Sequence, residues 1–175
     1  MKSGTKRKRT AVPRLRDPAG VWHVDVLIKD RQWLKVRGIR SLVRRACLAA
    51  LSDIRDSGEI CIVLAGDAGV RKLNREWRGK DKPTNVLSFA GTPPLLGDIV
   101  LARQTVLREA RDRAKPVAHH IVHLVVHGCL HLLGYDHEEE KEARRMEKME
   151  INLLEQLGIP NPYLLRPGKP PMVAR

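Results

Sequence analysis

The chain has 175 residues, enough for one domain with tails, and 33 Lys and Arg against 20 Asp and Glu give it a net charge of +13. Residues 1–16 hold seven bases and no acid, and residues 160–175 hold three bases and no acid, so most of the excess lies at the two ends. Apolar content of 42% excludes a wholly disordered chain, no apolar run of 18 residues exists to span a bilayer, and the charged start lacks the apolar core of a secretory signal.

Residues 1–20 read as a basic flexible arm in which Pro13 and Pro18 block regular structure. Trp22–Ile28 alternates as a strand. A helix is expected over 38–56, with Leu42, Ala46, Ala49 and Ala50 at helical spacing. The apolar run within 59–65 reads as a buried strand, and Asp67 is expected to cap a helix reaching Trp77. Gly79 and Pro83 break the chain before two further strands, 84–90 and 97–102. Helices follow over 103–114, over 117–133 (the most apolar, with Gly134 as its stop) and over 138–157. Beyond Tyr163 a Pro-rich basic tail runs over 164–175. The order of elements predicts a single α/β (α+β) domain over 21–163, a mixed, roughly four-stranded sheet flanked by about five helices.

The basic balance suggests a polyanionic partner, nucleic acid above all. One Phe, two Tyr and three Trp are too few for a base-stacking sheet of the RRM kind. Three cysteines with no CxxC pair argue against a disulfide framework and for a reducing compartment.

The segment His127-Gly128-Cys129-Leu130-His131-Leu132-Leu133-Gly134-Tyr135-Asp136-His137 carries the chemistry. Four helical residues advance about 400°, so His127 and His131 fall within roughly 40° of each other and about 6 Å apart along the axis, close enough for one ion. A continuous helix would turn His137 away, and Gly134 supplies the break that lets it return. The three imidazoles place a metal site at the end of the central apolar helix. They suit zinc, one per chain, with a fourth position left for water, whose pKa can then approach 7. The spacing matches the protease pattern HExxHxxGxxH except that Gly128 stands where the general-base glutamate would be. His120 and His123 project on the same helical face, as residues behind the ligands or against substrate. Cys129 points away from that face and reads as core. Asp136 is either an acceptor that orients a ligand imidazole or a plain turn residue.

A second segment, Leu73–Phe89, places Arg75, Arg78, Lys80 and Lys82 around a helix end and loop. Lys80, backbone amides, Thr84 and Asn85 can hold a phosphate there while Arg78 stabilises its developing charge; the alternative is an ordinary solvated helix end.

RGKDKPTNVLSF (Arg78–Phe89), LGDIV (Leu96–Val100) and HGCLHLLGYDH (His127–His137) together resemble the YbeY family of bacterial and organellar endoribonucleases, over about residues 59–163. The resemblance implies zinc held by His127, His131 and His137, cleavage of single-stranded RNA, and processing of the 3′ end of small-subunit rRNA with a part in ribosome quality control. Arg78 matches the family's functional arginine. It further implies rRNA and the small ribosomal subunit as partners, a cytoplasmic location, no membrane and no nucleotide cofactor. Two alternatives stand beside it: a ribosome-assembly factor with a structural metal, and a metalloprotease, against which Gly128 argues.

Overall fold

The computed structural model describes residues 21–164. The basic arm expected over 1–20, and the tail expected over 164–175 apart from its first residue, lie outside the described residues. In chain order come β1 (Trp22–Ile28), a short 3₁₀ turn (Arg31–Lys35), α1 (Ile39–Ala50), β2 (Gly58–Ala65) and α2 (Asp67–Arg78). Then follow β3 (Val86–Ala90), β4 (Leu95–Ala102), α3 (Arg103–Asp112), α4 (Val117–Leu132) and α5 (Glu140–Gln156). One mixed sheet has the order β1-β2-β4-β3: β1, β2 and β4 run parallel, and β3 is an antiparallel edge.

Strand alternation gives this sheet two apolar faces. Ile60, Ile62 and Leu64 of β2 and Ile99 and Leu101 of β4 join α1, α4 and α5 in the main core. Val63, Ala65, Val100 and Ala102 turn to the other face, where Val70 and Leu73 of α2 cover them together with Leu87 and Phe89 of β3. Helix α4 is central to the first layer and packs against β3, β4, α1, α3 and α5. It lies close on the sheet because Gly128 has no side chain. A Cβ there would stand 3.0 Å from Ile99 Cγ2 and 3.1 Å from Ser88 Oγ, and the Ser88 hydroxyl donates to the Gly128 carbonyl at 3.3 Å. The position that carries glutamate in the protease pattern is thus filled here by the sheet.

Two expectations need correction, and one short element carried no sequence signal. The helix expected to reach residue 56 stops at Ala50. The chain turns at Leu51-Ser52-Asp53, where short polar side chains compete for the helix's backbone bonds. The 3₁₀ turn is too short for a periodic signal, yet it buries Trp33 fully, with its indole N–H donating to the Ala65 carbonyl at 2.9 Å. Asp67 does not cap its own helix, where Gly66 takes that place. Its carboxylate accepts from the Thr105 N–H at 3.0 Å and from the Thr105 hydroxyl at 2.7 Å, and Gln104 Oε1 accepts the Asp67 N–H at 2.9 Å. The N-termini of α2 and α3 cap each other across the fold, an exchange between segments that a single-segment pattern cannot reveal.

Gly97 fixes the end of the sheet nearest the histidines. Its φ of +154° is costly for a side chain, and a Cβ would lie 2.3 Å from the Phe89 carbonyl oxygen and 2.8 Å from Leu132 Cδ2. Gly97→Ala is expected to cost about 2–4 kcal/mol through backbone strain and overpacking. Urea unfolding measures it, and an unchanged midpoint would mean that β3 and the end of α4 separate freely.

Candidate metal centre

His127 and His131 lie one turn apart near the end of α4, with their Nε2 atoms 3.1 Å from each other. The helix then closes in a Schellman turn. Gly134 adopts φ +88°, its N–H bonds to the His131 carbonyl at 3.0 Å, and the Tyr135 N–H reaches the Leu130 carbonyl at 3.0 Å. This reversal brings back His137, whose ring centroid is 4.9 Å from that of His131 and 5.7 Å from that of His127. One nitrogen from each of the three rings lies within 4.8 Å of the others, with His127 and His131 half-buried and His137 exposed.

The distal nitrogens decide what the proximal ones can do. His131 Nδ1 is 3.0 Å from the Tyr135 carbonyl oxygen, which only accepts, so this nitrogen carries the proton. His127 Nδ1 is 2.6 Å from Glu150 Oε1, a carboxylate oxygen that likewise accepts. In the neutral rings both facing Nε2 atoms are therefore bare lone pairs, and at 3.1 Å they repel unless a cation lies between them. Two metal–imidazole bonds of about 2.0–2.1 Å at a tetrahedral angle would separate the nitrogens by about 3.3–3.4 Å, so the pair fits a metal ion with little adjustment. Burial, and then the neighbouring His127 and His137 rings, hold the His131 pKa below the ordinary histidine value. That ring is thus neutral at pH 7 before any ion arrives.

Two carboxylates, half-buried Glu109 and fully buried Glu150, line the same face of α4. His120 is fully buried with Nε2 2.8 Å from Glu109 of α3, and His123 Nε2 is 3.4 Å from Glu150 of α5. The rings form a row, with centroids 6.5 Å apart from His120 to His123, 6.5 Å from His123 to His127 and 4.5 Å from His127 to His131. Burial alone would raise the Glu150 pKa, but hydrogen bonds from His123, His127 and Tyr163 outweigh it and hold the group at about 2. Glu109 is likewise held below its ordinary value: burial opposes ionisation, and His120 and Asn85 overcome it.

The other candidate residues divide. Asp136 is exposed and accepts the N–H of His137 at 2.7 Å, as a turn residue does; it makes no bond to an imidazole. Asn85 is tied into the protein through both ends of its amide, donating to Glu109 at 2.9 Å and accepting the Val86 N–H at 2.7 Å. Thr84 is half-buried beside it. Arg71 and Arg75 of α2 both pair with Asp81, at 2.8 and 3.7 Å. Among the described residues the side chains of Arg78, Lys80 and Lys82 form no ion pair, and all three are exposed. Arg78 ends α2, on the opposite face of the sheet from α4. The two still meet one end of the β3 edge: Trp77 stands edge-on to Phe89 with centroids 6.0 Å apart, and Leu132 of α4 packs under Gly97, the partner of Ala90. Sequence reasoning missed Glu150, Glu109 and Tyr163. The first was detectable, because it occupies the buried stripe Met146, Glu150, Leu153, Leu154 of α5, an acid at an apolar position.

A family model described as Endoribonuclease YbeY matches residues 27–158. The relative named Endoribonuclease YbeY from Azorhizobium caulinodans is 47% identical over 153 residues, covering 81% of this chain and 96% of its own. The one from Bradyrhizobium diazoefficiens is 43% identical over 158 residues, covering 82% and 86%. The one from Rhodopseudomonas palustris is 47% identical over 152 residues, covering 79% and 88%. The solution structure of TM1509 from Thermotoga maritima is similar with a TM-score of 0.50 and 23% identity, covering 84% of this chain and 99% of that one, a likeness of fold.

Elemental analysis of untagged protein should find close to one divalent ion per chain, and His127→Ala and His131→Ala should each lose most of it. Acid should release the ion as the pH falls below the ordinary histidine value of about 6.5, because protons then compete for the same lone pairs. Full retention in both variants would remove the site.

Proposed function

The chain belongs to the endoribonuclease YbeY family, and from that membership we propose that it is a zinc-dependent endoribonuclease. Its substrate in this reading is single-stranded RNA, and its task the maturation of the 3′ end of small-subunit rRNA and ribosome quality control in the cytoplasm. The observation that carries the chemistry is the pair of opposed Nε2 lone pairs at 3.1 Å, completed by His137. Three protein ligands leave an open position, whereas structural zinc is normally closed by four, which favours an enzyme over an assembly factor with a structural metal. The protease alternative lacks its base, since Gly128 faces Ile99 and Ser88.

A zinc ion held by His127, His131 and His137 would polarise the scissile phosphate and supply hydroxide at neutral pH. The chain's own residues orient the RNA. A cavity of about 170 Å³ beside His127 and His137 is lined by Glu147, Glu150 and Tyr163, so its far wall is acidic and disfavours phosphate. The exposed Arg78, Lys80 and Lys82 lie at the other side, beyond the β3 edge. A strand crossing that edge offers its backbone to these bases and one phosphate to the histidines. Arg78 then stabilises charge that grows on the phosphate through a two-pronged guanidinium contact.

Arg78→Ala should slow single-turnover cleavage of a short single-stranded RNA by about 10²–10³ with metal content and Tm unchanged. Arg78→Lys should recover part of the rate, and Arg75→Ala, already paired with Asp81, should be mild. Wild-type cleavage by Arg78→Ala would move the phosphate clamp elsewhere. Separately, deleting residues 1–16, which carry seven bases, should flatten the salt dependence of RNA binding by about 0.7 in log–log slope per lost phosphate contact. An identical slope after deletion would show that the arm does not touch RNA.

A further inference from the structure

Glu150 is 1% exposed, and the groups that bond to its carboxylate are His127, His123 and Tyr163, none of them a permanent cation. Among the described residues no Lys or Arg forms an ion pair with it. A buried carboxylate normally has a countercharge close by. A place for one lies on the far side of the His127 ring, where Nε2 faces His131.

The third donor comes from outside the helical framework. After α5 the chain turns at Gly158, and residues 161–163 are pinned back onto the protein. The Tyr163 N–H bonds to Asn161 Oδ1 at 2.8 Å, and Lys115 Nζ donates to the Pro162 carbonyl at 2.6 Å. The turn sets the Tyr163 ring edge-on to His123 with centroids 5.7 Å apart, and its hydroxyl donates to Glu150 Oε2 while Oε1 accepts from His127. Each carboxylate oxygen thus has a fixed partner, and the plane of Glu150 is set by a residue separated from it by the end of a helix and a turn.

We propose that Glu150 and Tyr163 are positioning residues of the metal centre: Tyr163 orients the Glu150 carboxylate, and Glu150 fixes the tautomer and angle of His127 and supplies the negative charge that balances the bound cation. The proposal rests on the reading of His127, His131 and His137 as ligands. It gives the C-terminal turn a task that no fold argument requires, because Tyr163 is 43% exposed and adds little to the core. A carboxylate behind a ligand imidazole raises its basicity, and removing such a partner typically weakens metal binding by about 10–100-fold.

The test measures Zn²⁺ affinity by chelator competition, and the rise in Tm that saturating Zn²⁺ gives over the metal-free protein. It compares the full chain with Glu150→Gln and Tyr163→Phe. Glu150→Gln is expected to lose about 10–100-fold in affinity, and Tyr163→Phe a smaller factor of about 3–10 because the carboxylate remains. In both the Zn²⁺-induced rise in Tm should shrink, since that rise follows affinity. A purely structural role would lower the Tm of metal-free and metal-loaded protein alike and leave the rise intact. Nitrogen chemical shifts of the His127 ring in metal-free protein add an independent signature: a single Nδ1–H tautomer in the wild type and a mixture in Glu150→Gln. Unchanged affinity with an unchanged tautomer would overturn the proposal. Should Glu150→Gln fail to fold, Tyr163→Phe decides alone, and unchanged affinity there overturns it. A wild-type chain that gains no stability from Zn²⁺ would instead overturn the metal reading on which it rests.

Discussion

The close seating of α4 on the sheet is the constraint from which the rest of the site follows. An α-helix normally stands off a sheet by the width of its side chains, and at Gly128 this one does not, so Ile99 and Ser88 touch its backbone. A second absence of side chain, at Gly97, lets Leu132 rest on β4 one turn further along. Held at these two points, the helix has no freedom to roll about its axis. His120, His123, His127 and His131 must then share one flank of the helix, towards the seam that α3 and α5 close. The same contacts explain why residue 128 contributes no functional group: its direction belongs to the core.

On this rigid helix the histidines divide by what lies behind them. His120 meets the half-buried Glu109 and His123 the buried Glu150, and His127 meets the same Glu150 carboxylate. His131 meets a backbone carbonyl that exists in the right place only because Gly134 reverses the chain. In each case the outer nitrogen is committed to an acceptor, which leaves the inner nitrogens of His127 and His131 with lone pairs and no proton to share. That condition suits the cluster to a cation more than to a set of satisfied core histidines. It depends on Glu150 of α5 and on the Tyr135 backbone as much as on the histidines themselves.

Charge is arranged around this centre by the same economy of layers. Asp81 neutralises Arg71 and Arg75 along α2, so the cationic character of that helix is concentrated at its end, in Arg78 and the following lysines. The first turn of α5 carries Glu140 and Glu142, favourable beside a helix N-terminus, and Glu147 extends the acidic side to the cavity wall. The β3 edge separates the two. A polyanion approaching this end of the molecule meets attraction on one side and repulsion on the other, and that asymmetry gives it a direction.

The elements and the three-histidine cluster were legible in the sequence because both are local. Period-2 and period-3.6 patterns located the four strands and five helices found among the described residues, and the glycine break showed that His137 could rejoin His127 and His131, because a helix and its C-terminal turn are geometries of about ten consecutive residues. The family resemblance was carried by the same contiguous segments. What those patterns could not decide was which groups stand behind each imidazole. Glu150 reaches His127 from 23 positions away, Tyr163 reaches Glu150 across the end of a helix and a turn, and Glu109 links Asn85 to His120 across three elements. Asp136, adjacent in sequence to His137, turned out to bond only its neighbour's amide. A hydrogen bond requires two groups within about 3 Å, and between distant segments that distance is fixed only when the helices and sheet pack. The sequence by itself determined which three histidines come together; the tertiary structure alone determined the partners and the orientation of their rings.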